Sequence, residues 1–222
     1  MALPARTVRH KTLSGTNFRE STGLRGGCQV ASYASHRDIM VTQNEIGASR
    51  GGRVDGGKWG ADAISALTKR LDEVGQEGNC RKRKVGAAIL DRSGEVLAAA
   101  ANGTPGGMRR CDSGGCVRCA ASGTFPHGVG YDLCICLHAE EAVLVSAARH
   151  RVDVGELIIA TSYQPCFMCA KLIVASGLDG VLYDDPWQVP EEQALLPGLR
   201  ADYAALWEQL PGGCKPLASL LD

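Results

Sequence analysis

Beyond its first 57 residues, the chain switches between helical and strand-like hydrophobic periods. Apolar residues recur at helical spacing over 59–74, which predicts a core-packed first helix that stops at Gly75. Two apolar runs follow, Val85–Leu90 and Val96–Ala101, and they flank the turn-forming residues 91–94, Asp-Arg-Ser-Gly. Because turn chemistry separates two strand-like runs, this stretch predicts a β-hairpin.

The second half of the chain alternates helical and strand-like segments. In order, they are a helix from Ala139, a strand at 157–160, a helix from Cys166 to near Gly177, a strand at 180–183, a short weak helix at 190–196 and a stronger helix at 201–210. Strands joined through helices should run parallel, whereas the hairpin is antiparallel. The pattern therefore predicts an α/β class protein, a three-layer α/β/α arrangement with a mixed sheet. The residues after Pro211 carry no clear signal.

Residues 1–57 follow neither period and differ in composition from the rest. They hold nine glycines, and eight basic residues against four acidic ones. This composition predicts a flexible or partly ordered N-terminal extension, ahead of a globular domain over 58–222. Recurrent Arg with few acidic residues also fits an organellar transit peptide. An arm that packs on a neighbouring subunit is the third interpretation.

Charge and hydropathy narrow the choice of partners. The formal net charge is zero and 45% of the 222 residues are hydrophobic, enough for a sizeable core. A long nucleic acid is therefore not indicated as the main partner, although the basic run at 81–84 keeps that alternative open. No apolar stretch reaches membrane-spanning length, and no secretory h-region is present. We expect a cytoplasmic protein without a membrane partner, or an organellar one if the extension is a targeting segment.

The chain contains ten cysteines. A disulfide framework suits short secreted chains, whereas this longer chain with two C-x-x-C pairs favours metal binding in a reducing compartment. Residues 108–137 have little predicted regular structure, and a closed structural zinc would hold such a segment in place. The expected ligands are Cys111, Cys116, Cys119 and Cys134. Cys136 is the alternative fourth ligand, and free or redox-active thiols are the alternative to a metal.

A second group of metal-binding residue types stands in two short motifs, His138-Ala139-Glu140 and Pro165-Cys166-Phe167-Met168-Cys169. One imidazole and two thiolates can hold zinc with a fourth position left for water, which is typical of a catalytic site. Both motifs begin predicted helices, where the free N–H groups favour thiolate over thiol. Glu140 stands two residues from His138, close enough to carry protons. The motifs together predict a catalytic zinc centre.

These motifs resemble the cytidine and deoxycytidylate deaminase superfamily. The likeness covers about residues 59–185 and includes the strand entry Arg83–Ile89 and the loop Asn102-Gly103-Thr104-Pro105. Within the superfamily the chain is most similar to deoxycytidylate (dCMP) deaminases. The cysteine-bearing segment that ends in Cys134-Ile135-Cys136 is similar to a fungal-type branch with a second zinc.

The resemblance implies a cytidine deaminase-like fold and a zinc-dependent hydrolase that converts dCMP to dUMP and ammonia. It implies zinc on His138, Cys166 and Cys169, with Glu140 as the catalytic proton carrier. It also implies Asn102 near the sugar, and the Ala139 backbone with Ser162 near the pyrimidine. A homo-oligomer is expected, since helices beside such sites usually pack against neighbours.

Two positions depart from the family's pattern. Ala142 stands where an Asn usually follows the motif's Glu, and Gly106 stands where an Arg often follows the N-G-x-P loop. Arg109 and Arg110, slightly later, are the remaining candidates for a phosphate contact. Because both departures affect nucleotide contacts, dCTP, a free nucleoside, a modified base or bases in RNA or DNA stay open as substrates. A non-catalytic, zinc-stabilised interaction module is the alternative outside enzymes.

Overall fold

The computed structural model of the chain describes residues 59–121, 133–187 and 197–221. The predicted extension over 1–57 and the predicted short helix at 190–196 lie outside these ranges. The helices described are α1 (Ala61–Glu77), α2 (Val117–Ala120), α3 (Ala139–Arg149), α4 (Phe167–Ala175) and α5 (Pro197–Glu208), with a terminal 3₁₀ helix over Leu217–Leu220. The strands are β1 (Gly86–Leu90), β2 (Val96–Ala101), β3 (Ile158–Tyr163), β4 (Gly180–Asp185) and β5 (Gly213–Pro216).

These strands form one five-stranded mixed sheet in the order β2-β1-β3-β4-β5. The predicted hairpin is confirmed, since β1 pairs antiparallel with β2, and β1 also pairs antiparallel with β3. Strand β4 runs parallel to both β3 and β5. The sheet therefore contains both kinds of pairing, as the alternation of helices and strands predicts.

Two hydrophobic clusters cover the two faces of the sheet. Strand β1 is buried along its whole length, and its successive side chains point to opposite faces. Ile89 packs in a cluster with side chains of α3 and α4, whereas Leu90 packs in the cluster that contains Leu71 of α1. The predicted three-layer α/β/α arrangement is therefore confirmed, with α1 on one face and α3 and α4 on the other.

The end of α1 differs from the prediction, because the helix continues through Gly75 to Glu77. Gly75 is an inner position where helix and strand approach closely, since a Cβ there would lie 3.1 Å from the Gly86 nitrogen. A Cβ on Gly86 would lie 2.1 Å from the Leu71 carbonyl oxygen. Both glycines therefore allow α1 to pack on β1, and Gly75 is not a helix stop.

Two further features were not predicted from the hydrophobic pattern. Strand β5 has only four residues, Gly-Cys-Lys-Pro, and it forms by parallel pairing with β4. Leu172 of α4 is 44% exposed, although the next residue, Ile173, is fully buried. Within the described ranges, no helix combines the length and apolar character needed to cross a membrane.

Candidate functional site

The structure brings His138, Cys166 and Cys169 together at one point. The Nδ1 atom of His138 lies 3.5 Å from the Cys166 Sγ and 3.4 Å from the Cys169 Sγ. A tetrahedral zinc with ordinary Zn–N and Zn–S bonds would separate its nitrogen and sulfur ligands by about 3.6 Å. The three donor atoms therefore fit a zinc ion, and their chemistry is that of a zinc site.

The beginnings of two helices place these three ligands. His138 is the N-cap of α3, and its backbone N–H donates to the Glu141 carboxylate at 2.7 Å in a capping box. Cys166 is the N-cap of α4, and Cys169 lies in the first turn of that helix. Both motifs begin helices, as predicted, and the two N-termini converge.

The contacts among the three ligands shift their acidities in different directions. Hydrogen bonds from Cys169 and then from His138 lower the pKa of the Cys166 thiol to about 4, although burial acts in the opposite direction. The hydrogen bond with Cys166 raises the pKa of His138 to about 9 and also raises the pKa of the Cys169 thiol. A divalent metal bound by the three residues would take the place of the protons on His138 and Cys169.

Glu140 lies in the first turn of α3 beside these ligands. Its side chain is 5% exposed, and burial raises the pKa of its carboxyl to about 7, with His138 acting in the opposite direction. A carboxyl whose pKa lies near neutrality can both accept and donate a proton at physiological pH. Glu140 is thus suited in burial and in pKa to the proton-carrying role predicted for it.

The amide of Asn102 is bound to the backbone that leads into β1. Its Oδ1 accepts from the Val85 N–H at 3.0 Å, and its Nδ2 donates to the Arg83 carbonyl at 2.9 Å. The next residue, Gly103, forms an antiparallel bridge with Leu137, the residue before His138. Asn102 therefore holds the loop after β2 in place, and a contact of its amide with a sugar stays a prediction.

Ser162 and Ala139, the residues expected near a pyrimidine, are both buried. The Ser162 hydroxyl accepts from the Gly86 N–H at 3.1 Å and also contacts the Gly86 carbonyl at 3.3 Å. Ala139 is fully buried at the first position of α3. The Ser162 side chain therefore supports β1, and a contact with a pyrimidine by Ser162 or by the Ala139 backbone stays a prediction.

Arg109 and Arg110 are exposed in the loop that follows β2. Arg110 donates to both oxygens of Asp112, at 3.1 and 2.8 Å, and this pair lowers the pKa of Asp112. The guanidinium of Arg109 lies beside Gly114. Both side chains thus lie against their own loop, and a phosphate contact by either one stays a prediction.

The four cysteines expected to hold a second zinc lie in a larger group of thiols. Cys111, Cys116 and Cys119 have all their sulfur atoms within 4.8 Å of one another, and Cys134 lies 3.9 Å from Cys116. The group also includes the alternative ligand Cys136 and one residue that was not predicted, Cys80. Cys80 has no C-x-x-C partner, so no local signal distinguishes it. We call these six residues the six-thiol cluster.

Sequence reasoning also missed an aromatic wall next to Cys166. The Tyr203 hydroxyl of α5 donates to the Pro165 carbonyl at 2.6 Å. Its ring lies 5.2 Å from the rings of both Trp187 and Trp207 and 6.4 Å from that of Phe167. Because this contact joins residues 38 positions apart, only the folded chain reveals it.

A family model described as "Cytidine and deoxycytidylate deaminase zinc-binding region" matches residues 62–184, more than half of the chain. The chain belongs to this family. The match contains the His138 and Cys166 motifs and Glu140, and the family's description supports zinc as the metal. The resemblance inferred from the motifs is therefore confirmed.

Two relatives of the chain are named deoxycytidylate deaminases. The chain is 36% identical over 136 residues to a deoxycytidylate deaminase of Schizosaccharomyces pombe. The aligned region covers 61% of this chain and 40% of that relative. The chain is 33% identical over 114 residues to a deoxycytidylate deaminase of Mycobacterium phage D29. That aligned region covers 49% of this chain and 83% of the phage relative. The chain thus spans about two fifths of the length of the yeast relative.

The crystal structure of the apo dCMP deaminase from cyanophage S-TIM5 is similar in fold, with a TM-score of 0.50 and 23% identity. The similarity covers 71% of this chain and 98% of that one. The deaminase fold expected from the motifs is confirmed, and at this identity the comparison concerns the fold alone.

Proposed function

We propose that this chain is a zinc-dependent deaminase of a cytosine nucleotide, with dCMP as its substrate and dUMP and ammonia as its products. The observation that carries the proposal is the convergence of His138, Cys166 and Cys169 beside the buried Glu140. Support also comes from the relatives in S. pombe and phage D29, which carry the name deoxycytidylate deaminase.

In this proposal, His138, Cys166 and Cys169 hold the zinc, which when bound supplies a Lewis acid and lowers the pKa of water. Glu140 accepts a proton from the water that attacks the ring carbon bearing the amino group. It passes that proton to the ring nitrogen and later carries a second one to the amino group, which leaves as ammonia. The C–O bond forms, the C–N bond breaks, and Glu140 ends in its original state.

Asn102, Ala139 and Ser162 are the proposed contacts to the sugar and the pyrimidine, and Arg109 and Arg110 are the proposed contacts to phosphate. Ala142 belongs to the buried core on the α3 face of the sheet, so this position supplies no polar nucleotide contact. Because this polar group is missing, dCTP, deoxycytidine and nucleic-acid bases stay open as alternative substrates.

The test is a substrate panel with the zinc-loaded full chain. Ammonia release should be fastest with dCMP and slower with dCTP, deoxycytidine and a cytosine-containing oligonucleotide. Fastest turnover of the nucleoside or of dCTP would reassign the substrate within the same chemistry. A folded, zinc-loaded preparation that leaves all four unchanged would refute the proposal and favour a non-catalytic zinc-stabilised module.

We also propose a second, structural zinc on Cys111, Cys116, Cys119 and Cys134. The sulfur distances support it, as does the burial of Cys111, Cys116 and Cys119. Zinc analysis of the variant His138→Ala, which removes a ligand of the other site, should still find tightly bound zinc. A metal-free variant would contradict a structural zinc.

A homo-oligomer is the proposed assembly, formed through exposed apolar side chains of α3 and α4. Val145, Met168 and Leu172 are 44%, 55% and 44% exposed. Sedimentation should show an oligomer that Met168→Glu weakens, whereas a monomeric wild type would refute it.

Two expectations from the sequence stay predictions. They are the division into an extension over 1–57 and a deaminase domain over 58–222, and the cytoplasmic location.

A further inference from the structure

The six-thiol cluster collects cysteines from four separate stretches of the chain. Cys80 follows α1, Cys111 lies in the loop after β2, Cys116 and Cys119 flank and occupy α2, and Cys134 and Cys136 precede α3. Five of the six side chains are 9% exposed or less, and Cys134 is half-buried. So many buried thiols from distant positions indicate a common ligand.

The spacing of the sulfur atoms suits metal ligation. The cluster consists of two triads, Cys80-Cys111-Cys136 and Cys111-Cys116-Cys119, and within each triad the atoms lie within 4.8 Å of one another. The Cys116 and Cys134 sulfur atoms are 3.9 Å apart. Tetrahedral zinc with four thiolates would separate its sulfur atoms by about 3.8 Å, whereas a disulfide would bring them to about 2.05 Å.

A single zinc ion cannot use all six thiols, because it takes four ligands. The four that the second zinc would use leave Cys80 and Cys136, and these two form their own triad with Cys111. Cys111 therefore belongs to both halves of the cluster. A thiolate can bridge two metal ions, so Cys111 is placed to do so.

Cys134 lies beside one half of the cluster. Its sulfur is 3.9 Å from that of Cys116, which belongs to the triad with Cys111 and Cys119. With Cys134 added, this half has four sulfur ligands, a complete tetrahedral set. The other half has three, Cys80, Cys136 and the shared Cys111.

We propose that the six-thiol cluster binds two zinc ions in one dinuclear centre. Cys111 bridges the two ions, Cys116, Cys119 and Cys134 complete the four ligands of one, and Cys80 and Cys136 are the further sulfur ligands of the other. The proposal rests on the structural zinc proposed above and adds a third zinc ion to the chain. Two divalent ions and six thiolates give the centre a net charge of −2.

This centre would join the two segments that frame the deaminase site. Asn79, next to Cys80, accepts from the Thr104 N–H at 2.9 Å and donates to its hydroxyl at 3.0 Å. Leu137, next to Cys136, pairs with Gly103 and precedes His138. The dinuclear centre would therefore hold the Asn102 loop against the segment that leads into α3.

Native mass spectrometry of the full chain tests the metal count. We expect three zinc ions in the wild type and two in a variant that carries His138→Ala, Cys166→Ala and Cys169→Ala. We expect two as well in Cys80→Ser with Cys136→Ser. The matched control Cys214→Ser, which changes a thiol outside the cluster, should keep three. A wild type with two zinc ions, or one whose cluster contains iron and sulfide, would overturn the proposal.

A second measurement on the wild type avoids variants that fail to fold. After exchange with ¹¹³Cd, the bridged centre should give two resonances in the region typical of sulfur-rich coordination, with scalar coupling between them. A single uncoupled resonance in that region would refute the bridge. The metal count is independent of turnover, so an inactive chain with three zinc ions would refute the proposed deaminase alone.

Discussion

Cysteines lie close together in two regions of this chain, and different kinds of structure hold them there. In the His138 site, the ligands stand at the N-termini of α3 and α4, helices of 11 and 9 residues that pack on the sheet. In the six-thiol cluster, the cysteines lie between regular elements, and the one helix among them, α2, has four residues. The comparison indicates that packing holds the first site in place, whereas the second depends on what its thiols bind.

The largest expected effect lies in the His138 site and separates chemistry from folding. Glu140→Gln removes the proton carrier while keeping the shape of the side chain. Turnover should fall by about 10²–10⁴-fold, the usual contribution of general acid–base catalysis. Steady-state ammonia release measures the fall, and zinc content and thermal unfolding should stay near those of the wild type.

The control for this variant is Glu77→Gln, which makes the same change at an exposed position of α1 and should leave turnover unchanged. If Glu140→Gln kept full activity, the proton-carrying role would be wrong. If the variant lost its zinc, its inactivity would reflect loss of the site and the role would need another test.

In the six-thiol cluster, Cys111→Ser should lower the thermal stability of the chain. Its effect on turnover at the His138 site should be the smaller one. Because this variant removes the proposed shared ligand, several kcal/mol of metal-binding free energy are lost. At about 2–4 °C per kcal/mol, Tm should fall by roughly 10 °C. Calorimetry over a range of free zinc measures this, because wild-type Tm should rise more with zinc than that of the variant, which keeps only the His138 site intact.

Cys214→Ser is the matched control for that experiment. Cys214 is a partly buried thiol whose described polar contact is the Gln164 side-chain amide at 3.8 Å, and it lies outside the cluster. Its replacement should change Tm by only a few degrees and leave the zinc dependence intact. Equal losses in the two variants would show that Cys111 acts only as a packed core residue.

The packing that supports the His138 site can be weakened without touching a ligand. Ile173 of α4 is fully buried, and Ile173→Ala should cost about 2–5 kcal/mol of unfolding free energy. Urea unfolding measures this loss, and added zinc should not restore it fully. Lys171→Ala, at an exposed position of the same helix, should cost less than about 1 kcal/mol. A similar cost for both would contradict the burial difference.

The smallest expected effect comes from the aromatic wall. Tyr203→Phe removes the hydrogen bond to the Pro165 carbonyl, worth about 1 kcal/mol, and keeps the ring contacts. Turnover should fall a few-fold, because Pro165 precedes the ligand Cys166. Absorption of the cobalt-substituted protein should shift slightly if the hydroxyl positions that ligand. An unchanged spectrum with reduced stability would limit Tyr203 to a structural role.

Much of the fold could be predicted because its signals are local. The hairpin of β1 and β2 follows from two apolar runs around a turn, and α3, β3, α4 and β4 follow from their own periods. The ends of elements were less certain, since α1 passes through Gly75 to pack on Gly86. β5 had no signal, because its four residues become a strand only by pairing with β4.

In the candidate site, too, some residues could be predicted from local motifs and others are brought together only by the fold. His138, Glu140, Cys166 and Cys169 could be predicted because each motif is short and begins a helix. The second group of thiols was predicted in part, with Cys134 and Cys136 as alternatives for one position. The structure places them both in the cluster, with Cys136 beside Cys80 and Cys134 beside Cys116.

The sequence by itself determined which metal-binding and catalytic groups the chain can offer. One group consists of an imidazole, two thiols and a carboxylate in two short motifs, and the other consists of thiols in an irregular segment. The sequence also determined the helices and strands whose hydrophobic periods are strong. Only the tertiary structure decided which thiols meet and that Cys80 joins them. The physical reason is that contacts between distant residues depend on strand order and on helix packing against the sheet, and no local pattern encodes either.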